Sequence, residues 1–146
     1  MHHCSIDKGE RAIERMAAMR YTLFLYYPEL GPEDLSPDAL AEGRRAFQEY
    51  ARAVDDAGVL VSAEMMMPAK ETTTLRGDSG EIVVQNGPSD HTAVPLAGSF
   101  VIDVAHLDAA VEWARRAPSV AWGHVEIRPT ATRWVDGSWK APHAST

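Results

Sequence analysis

The sequence AGSFVIDVAHLDAAVEWARRAP, residues 97–118, contains two hydrophobic periodicities in succession, and the prediction of the fold starts from them. Over residues 98–104 alternate side chains are apolar, which is the spacing of a β-strand with one buried face. Over residues 107–116 the apolar side chains recur at helical spacing, and Pro118 follows as a residue that ends a helix. The stretch therefore predicts a strand and then a helix, each with one apolar face.

Outward from this stretch, the same two periodicities predict the remaining elements. Ser36 followed by Pro37 is a strong start for another helix, and Gly58 supplies its end. The order of elements is strand, helix, strand, short hairpin, strand, helix, strand. This order suits an α+β fold of the ferredoxin-like type, with an antiparallel sheet and both helices on one face. The predicted strands are residues 20–27, 59–66, 71–76, 81–85, 98–104 and 122–128.

The two faces of this predicted sheet differ in polarity, because side chains alternate along a strand. One face is purely aliphatic and suits the two helices. The other face is too apolar for water and too polar for a dry core, so it needs a cover. A second copy of the chain would supply that cover, which predicts a homodimeric α+β barrel with a polar-lined cavity. The mixed face contains Phe24, Tyr26, Ser62, Glu64, Val101, Asp103, Glu126 and Arg128.

Composition narrows the class of protein. With 146 residues, 45% of them hydrophobic, the chain is long enough for one domain with a real core. A formal net charge of −7 argues against binding to nucleic acid or to an anionic membrane, and no apolar run is long enough to span a bilayer. Cys4 is the single cysteine, which excludes an internal disulfide and favours a cytoplasmic location. We interpret residues 1–18 as a flexible N-terminal extension, 19–130 as the domain and 131–146 as a C-terminal tail.

Four short motifs resemble those of a known family. They are the strand-and-helix sequence of residues 97–118, Thr-Leu-Arg at 74–76 before the hairpin, Val-Glu-Ile-Arg-Pro at 125–129, and Gly-Pro at 87–88. Together they resemble the YCII-related family of DGPF type over about 110 residues, and the combination is specific where one motif alone is weak. The resemblance implies a ferredoxin-like dimer, related to small enzymes of the dimeric barrel type that include muconolactone-transforming ones. It also implies a regulatory setting, since DGPF-type genes often lie beside extracytoplasmic-function sigma factors.

The chain departs from the motif that names this family group. Residues 86–91 read Asn-Gly-Pro-Ser-Asp-His, so Asn86 replaces the acid and Ser89 replaces the aromatic residue of Asp-Gly-Pro-Phe. His91 stands where a glutamate is expected. Any activity that depends on the carboxylates of that loop is therefore in question for this chain.

Asp90 and His91 are the first candidates for catalysis, because they are adjacent in a Gly/Pro-bounded loop before a central strand. Histidine titrates near neutral pH, so the two residues are a candidate acid–base pair at the mouth of the cavity. Adjacent residues do not automatically share a hydrogen bond, so His91 would otherwise pair with Glu64 or Glu126. The alternative is a solvated loop histidine without a role.

Glu126 and Arg128 point the same way from the last predicted strand. In a functional pair, Glu126 would move a proton while Arg128 holds a carboxylate of the ligand. The alternative is an ion pair across the dimer interface. Glu64, Tyr26 and Phe24 are the other candidate ligand-binding residues on this face.

We predict no cofactor and no metal site. His2, His3 and Cys4 have the composition of a metal cluster, but three ligands in a tail lack a fixed geometry. The sequence favours a small-molecule-binding protein, with possible cofactor-independent acid–base chemistry on a carbonyl or lactone-like ligand. Whether it is an enzyme stays open, as does the ligand. The alternative is a non-catalytic accessory protein linked to a sigma factor.

Overall fold

A computed structural model describes residues 18–142. The predicted extension at residues 1–18, apart from Ala18, and the cluster His2, His3 and Cys4 lie outside the described residues. Two helices are described, α1 (Pro37–Asp56) and α2 (Leu107–Arg115), with short 3-10 turns at Ala69–Glu71 and Pro118–Ala121. The strands are β1 (Met19–Tyr26), β2 (Leu60–Met65), β3 (Thr73–Asp78), β4 (Glu81–Asn86), β5 (Leu96–Val104), β6 (His124–Pro129), β7 (Arg133–Val135) and β8 (Ser138–Lys140).

Four strands form the main sheet in the order β2-β5-β1-β6, and every neighbouring pair is antiparallel. The predicted α+β class with an antiparallel sheet and two helices is therefore confirmed. The order of the elements along the chain and in the sheet is compatible with a ferredoxin-like fold.

The core lies between the two helices and one face of this sheet. Leu23, Leu25 and Ile102 from the two central strands are fully buried, as is Val54 from α1. α2 completes the layer with small residues, chiefly Ala110, which lets it lie close to the strands. Both helices thus cover the same face, and we call the opposite one the helix-free face.

Local chemistry explains where the first helix begins. The hydroxyl of Ser36 accepts a hydrogen bond from the backbone N–H of Ala39 at 3.1 Å, and Pro37 occupies the first helical position. After the helix, Gly58 adopts a φ of 76°, which a residue without a side chain reaches at little cost. The start and stop expected from the sequence are therefore confirmed.

The hairpin of β3 and β4, here called the arm, is a separate two-stranded sheet. Its turn is only two residues long, Ser79 and Gly80, both with positive φ, so the strands extend further than predicted. One face of the arm exposes large apolar side chains: Leu75, Ile82 and Val84.

The residues that follow the main sheet along the chain, predicted from the sequence to be a C-terminal tail, form a second hairpin. β7 and β8 pair through a two-residue turn, Asp136-Gly137, with φ values of 50° and 82°. Trp134 and Trp139 face each other across it, edge to face, with ring centroids 5.4 Å apart. Within residues 18–142 no helix has the length and apolarity that crossing a membrane would require.

Candidate functional site

The helix-free face presents a row of polar and aromatic side chains from β1 and β6. In the register of these strands, Tyr26 lies opposite His124, Phe24 opposite Glu126, and Thr22 opposite Arg128. Phe24 and Tyr26 are half-buried, whereas the three side chains from β6 are exposed. The alternation of the two strands therefore brings four of the predicted site residues together: Phe24, Tyr26, Glu126 and Arg128.

Tyr26 is the centre of this group. Its ring stacks on that of His124 with centroids 4.7 Å apart and planes 10° from parallel. Desolvation by burial raises the pKa of Tyr26, and the nearby Glu126 carboxylate raises it further, while the charge of Arg128 acts in the opposite direction. Tyr26 therefore stays protonated at neutral pH, with a carboxylate and a guanidinium close to its hydroxyl. We call Tyr26, His124, Glu126 and Arg128 the Tyr26 cluster.

A bidentate ion pair lies further along the same face. Arg20 Nε donates to Asp103 Oδ1 at 2.8 Å, and Arg20 Nη2 donates to Asp103 Oδ2 at 3.0 Å. The two side chains are only 21% and 19% exposed, and the bond to Asp103 raises the pKa of Arg20. Sequence reasoning did not find Arg20 as the partner, because the pairing depends on the register that places the two residues opposite each other.

Glu64 lies apart from these groups. It pairs with Ser99, four residues before Asp103 on β5, which corresponds to roughly 13 Å along the strand. The strand register therefore keeps the carboxylates of Glu64 and Asp103 too far apart to share a proton. Glu64 is exposed on β2, at the edge of the sheet.

The loop that contains Asp90 and His91 is held at its start by the arm. Thr74 donates to the carbonyl of Gly87 at 2.8 Å, and Gln85 donates to that of Pro88 at 2.9 Å. Asp90 and His91 themselves are exposed, and neither makes a hydrogen bond or ion pair with another described residue. Their pairing with each other, with Glu64 or with Glu126 stays a prediction.

A cavity lies on the other side of the sheet. It has a volume of about 770 Å³ and lies between α1, the segment from Tyr27 to Leu35, and the sheet. None of the site residues proposed from the sequence lines it. Sequence reasoning missed it because Leu30 and Leu35 lie in the segment between β1 and α1, where no strand or helix periodicity marks an apolar residue as part of a buried face.

Among residues 18–142 no group of three or more His, Cys, Asp or Glu side chains has the proximity required to hold a metal ion. The Tyr26 cluster contains one histidine and one carboxylate, and its described contact is the ring stack of Tyr26 on His124. What this arrangement offers chemically is a carboxylate and an arginine close to a tyrosine hydroxyl, on a surface that also has apolar character.

Comparison with known proteins gives a consistent result. A family model described as "YCII-related domain" matches residues 19–134. An uncharacterized protein of Rhizobium meliloti (strain 1021) is 30% identical over 115 residues, which are 77% of this chain and 93% of that protein. The matched region begins at β1 and ends within β7, so it includes the whole four-stranded sheet and both described helices.

Proposed function

This chain belongs to the YCII-related domain family, and on that premise we propose that it is a homodimeric small-molecule-binding protein. The ligand occupies a chamber between two helix-free faces and contacts the Tyr26 cluster. The main support is the register of β1 and β6, because it places the Glu126 carboxylate and the Arg128 guanidinium near the half-buried ring of Tyr26 on one face.

The character of the helix-free face supports the proposed dimer. Phe24 and Tyr26 are only half-buried in one chain, and the Arg20–Asp103 pair is already largely shielded there. A partner that covers this face would remove the remaining aromatic surface from water without leaving Arg20 or Asp103 unpaired. A second copy offers the same surface in a two-fold arrangement, the commonest symmetry of soluble oligomers.

Within the chamber, Arg128 holds an anionic group of the ligand, and Glu126 exchanges a proton with a carbon or oxygen next to a carbonyl. Tyr26 stays protonated at neutral pH because its pKa is raised, so its hydroxyl remains a hydrogen-bond donor for Glu126 or for the ligand. A carbonyl or lactone-like ligand fits this chemistry, which needs no cofactor. Asp90 and His91, on the loop before β5, are proposed as further proton carriers.

The test is a thermal-shift screen with small polar ligands, namely malonate, succinate, glutarate and γ-butyrolactone. We expect at least one of them to raise the Tm of the wild-type protein, and we expect Arg128→Gln to abolish that rise. Arg115→Gln is the matched control, because Arg115 is an exposed arginine on α2 whose partner is Glu112. The control should respond as the wild type does.

Three results would overturn the proposal. Equal Tm shifts in the Arg128→Gln and Arg115→Gln proteins would mean that Arg128 does not hold the anion. No shift with any compound would favour the alternative of a non-catalytic accessory protein, including the sigma-factor link that the family resemblance implies. Loss of the dimer in Arg128→Gln would identify Arg128 as an interface residue instead of a ligand-binding one.

A further inference from the structure

The cavity on the helix-covered side calls for a separate explanation. Its volume of about 770 Å³ falls in the range of small-molecule sites, about 300–1,000 Å³. Protein interiors are otherwise close-packed, with few voids larger than a water molecule. This space instead lies beside the core and is open to solvent on one side, so it is accessible to a ligand.

The cavity arises because α1 touches the sheet mainly through its C-terminal half. Tyr50 and Val54, both in that half, are the buried residues of the helix. The N-terminal half faces the cavity, and two of its lining residues, Ala39 and Gly43, have little or no side chain. At Gly43 an added Cβ would meet its nearest neighbour, Cη2 of Trp122, only at 3.9 Å. The small residues around the cavity are Ala39, Gly43, Ala51 and Ala63.

Three aromatic rings form one wall. The ring centroids of Tyr27 and Phe47 are 5.9 Å apart, as are those of Tyr27 and Trp122, and those of Phe47 and Trp122 are 6.1 Å apart. Aromatic groups at such distances attract a further flat ring in offset or edge-on geometry. Burial raises the pKa of Tyr27, and its hydroxyl bonds to no other described residue, so it offers a free donor and acceptor to a ligand.

The charged group at the cavity is a single arginine. Arg44 and Gln48 lie one turn apart on α1, and neither makes a hydrogen bond or ion pair with another described residue. Arg45, the next residue, is instead paired with Glu42 outside the cavity. None of the described residues that line the cavity is an Asp or Glu. In a chain with a formal net charge of −7, this is a local site for an anion.

From the volume, the aromatic wall and the unpaired guanidinium together, we infer that this cavity binds an aromatic monocarboxylate. The ring system lies against Tyr27, Phe47 and Trp122, and the carboxylate pairs with Arg44 at the mouth. Gln48 and the Tyr27 hydroxyl complete the polar contacts. The site is formed by one chain and does not involve the Tyr26 cluster, so it is separate from the proposed function.

Isothermal titration calorimetry with 2-naphthoate tests this inference, with 2-naphthalenemethanol as the uncharged analogue and decanoate as the non-aromatic one. The wild-type protein should bind 2-naphthoate more tightly than either analogue. Arg44→Gln should weaken 2-naphthoate about tenfold and leave 2-naphthalenemethanol unchanged, since a charge-assisted bond at a partly exposed site has about that effect. Arg45→Gln is the matched control and should bind as the wild type does.

A cavity-filling variant, Gly43→Met, should abolish binding of 2-naphthoate while the protein stays folded, because a longer side chain enters the space and methionine favours a helix more than glycine does. Undetectable 2-naphthoate binding by the wild type, tighter binding of decanoate, or equal losses in the two arginine variants would each overturn the inference. The Phe24→Asp variant separates it from the proposed function. The Phe24→Asp protein should keep its affinity for 2-naphthoate whether or not it forms dimers. A loss of affinity in this variant would mean that 2-naphthoate binds on the helix-free face.

Discussion

The two faces of the main sheet are built from the same strands and yet differ in almost every physical respect. On the helix-covered face, Leu23, Leu25 and Ile102 are fully buried and purely apolar. On the helix-free face, their immediate neighbours include Phe24, Tyr26 and Asp103. Among these, Tyr26 stacks on a histidine ring and Asp103 makes an ion pair. Because side chains alternate, one strand can stabilise the fold with the side chains of one face and present polar and aromatic side chains on the other.

The largest expected difference between the faces concerns core packing. Leu23→Ala should lower the free energy of unfolding by about 2–5 kcal/mol, because the removed methyl groups leave a cavity in a fully buried site. Thr22→Ala, the next residue on the helix-free face, should change it by about 0.5 kcal/mol. Urea unfolding of both variants at one protein concentration measures the difference. Similar losses in the two proteins would mean that both faces are equally packed.

The second prediction concerns how the helix-covered core responds to alkaline pH. Burial, opposed weakly by Arg116, raises the pKa of Tyr50 from 10.0 to about 12. The folded state therefore favours the neutral phenol of Tyr50. This preference contributes fully to the free energy of unfolding below pH 10, and the contribution is lost as the pH rises towards 12. The loss should approach about 2–3 kcal/mol.

Tyr50→Phe isolates this effect. The variant should be less stable at neutral pH by about 1 kcal/mol, because it lacks the hydrogen bond from Tyr50 to the carbonyl of Trp113, 2.7 Å long. It should also lose less stability than the wild type between pH 10 and 12. Unfolding curves of both proteins across this range provide the measurement, and parallel declines would contradict the assignment.

The smallest effect is expected for the ion pair on the helix-free face. A double-mutant cycle with Arg20→Gln and Asp103→Asn should give a coupling free energy of about 1–2 kcal/mol, since the pair is bidentate and largely shielded. The Arg115–Glu112 pair on α2, with side chains 69% and 72% exposed, should give about 0.5 kcal/mol or less. Equal couplings would show that the helix-free face is no drier than an open helix surface.

Much of the fold could be predicted from the sequence, because the relevant signals are local. The alternation around Phe100 and Ile102 and the cap at Ser36 depend on neighbouring residues alone, and the structure confirms both. The hairpin of β7 and β8 was missed, although Asp136-Gly137 is a common two-residue turn.

The site was less predictable, since it depends on register and on the position of a helix. Alternation placed Phe24, Tyr26, Glu126 and Arg128 on one face, but it did not show that Arg20 would lie opposite Asp103. The cavity was missed for a related reason. The cavity exists because the N-terminal half of α1 lies away from the sheet. Helical periodicity predicts which face of a helix is apolar, but not how far that face lies from the neighbouring element.

Sedimentation equilibrium of the wild-type, Phe24→Asp and Leu75→Asp proteins tests most directly whether a second copy covers the helix-free face. At micromolar concentration the wild type should sediment with twice the 16.0 kDa mass of one chain. Phe24→Asp, which adds a negative charge beside Glu126, should give a folded protein of 16.0 kDa, whereas Leu75→Asp, on the exposed face of the arm, should stay dimeric. A wild-type protein of 16.0 kDa, or a dimer lost only in Leu75→Asp, would contradict the account.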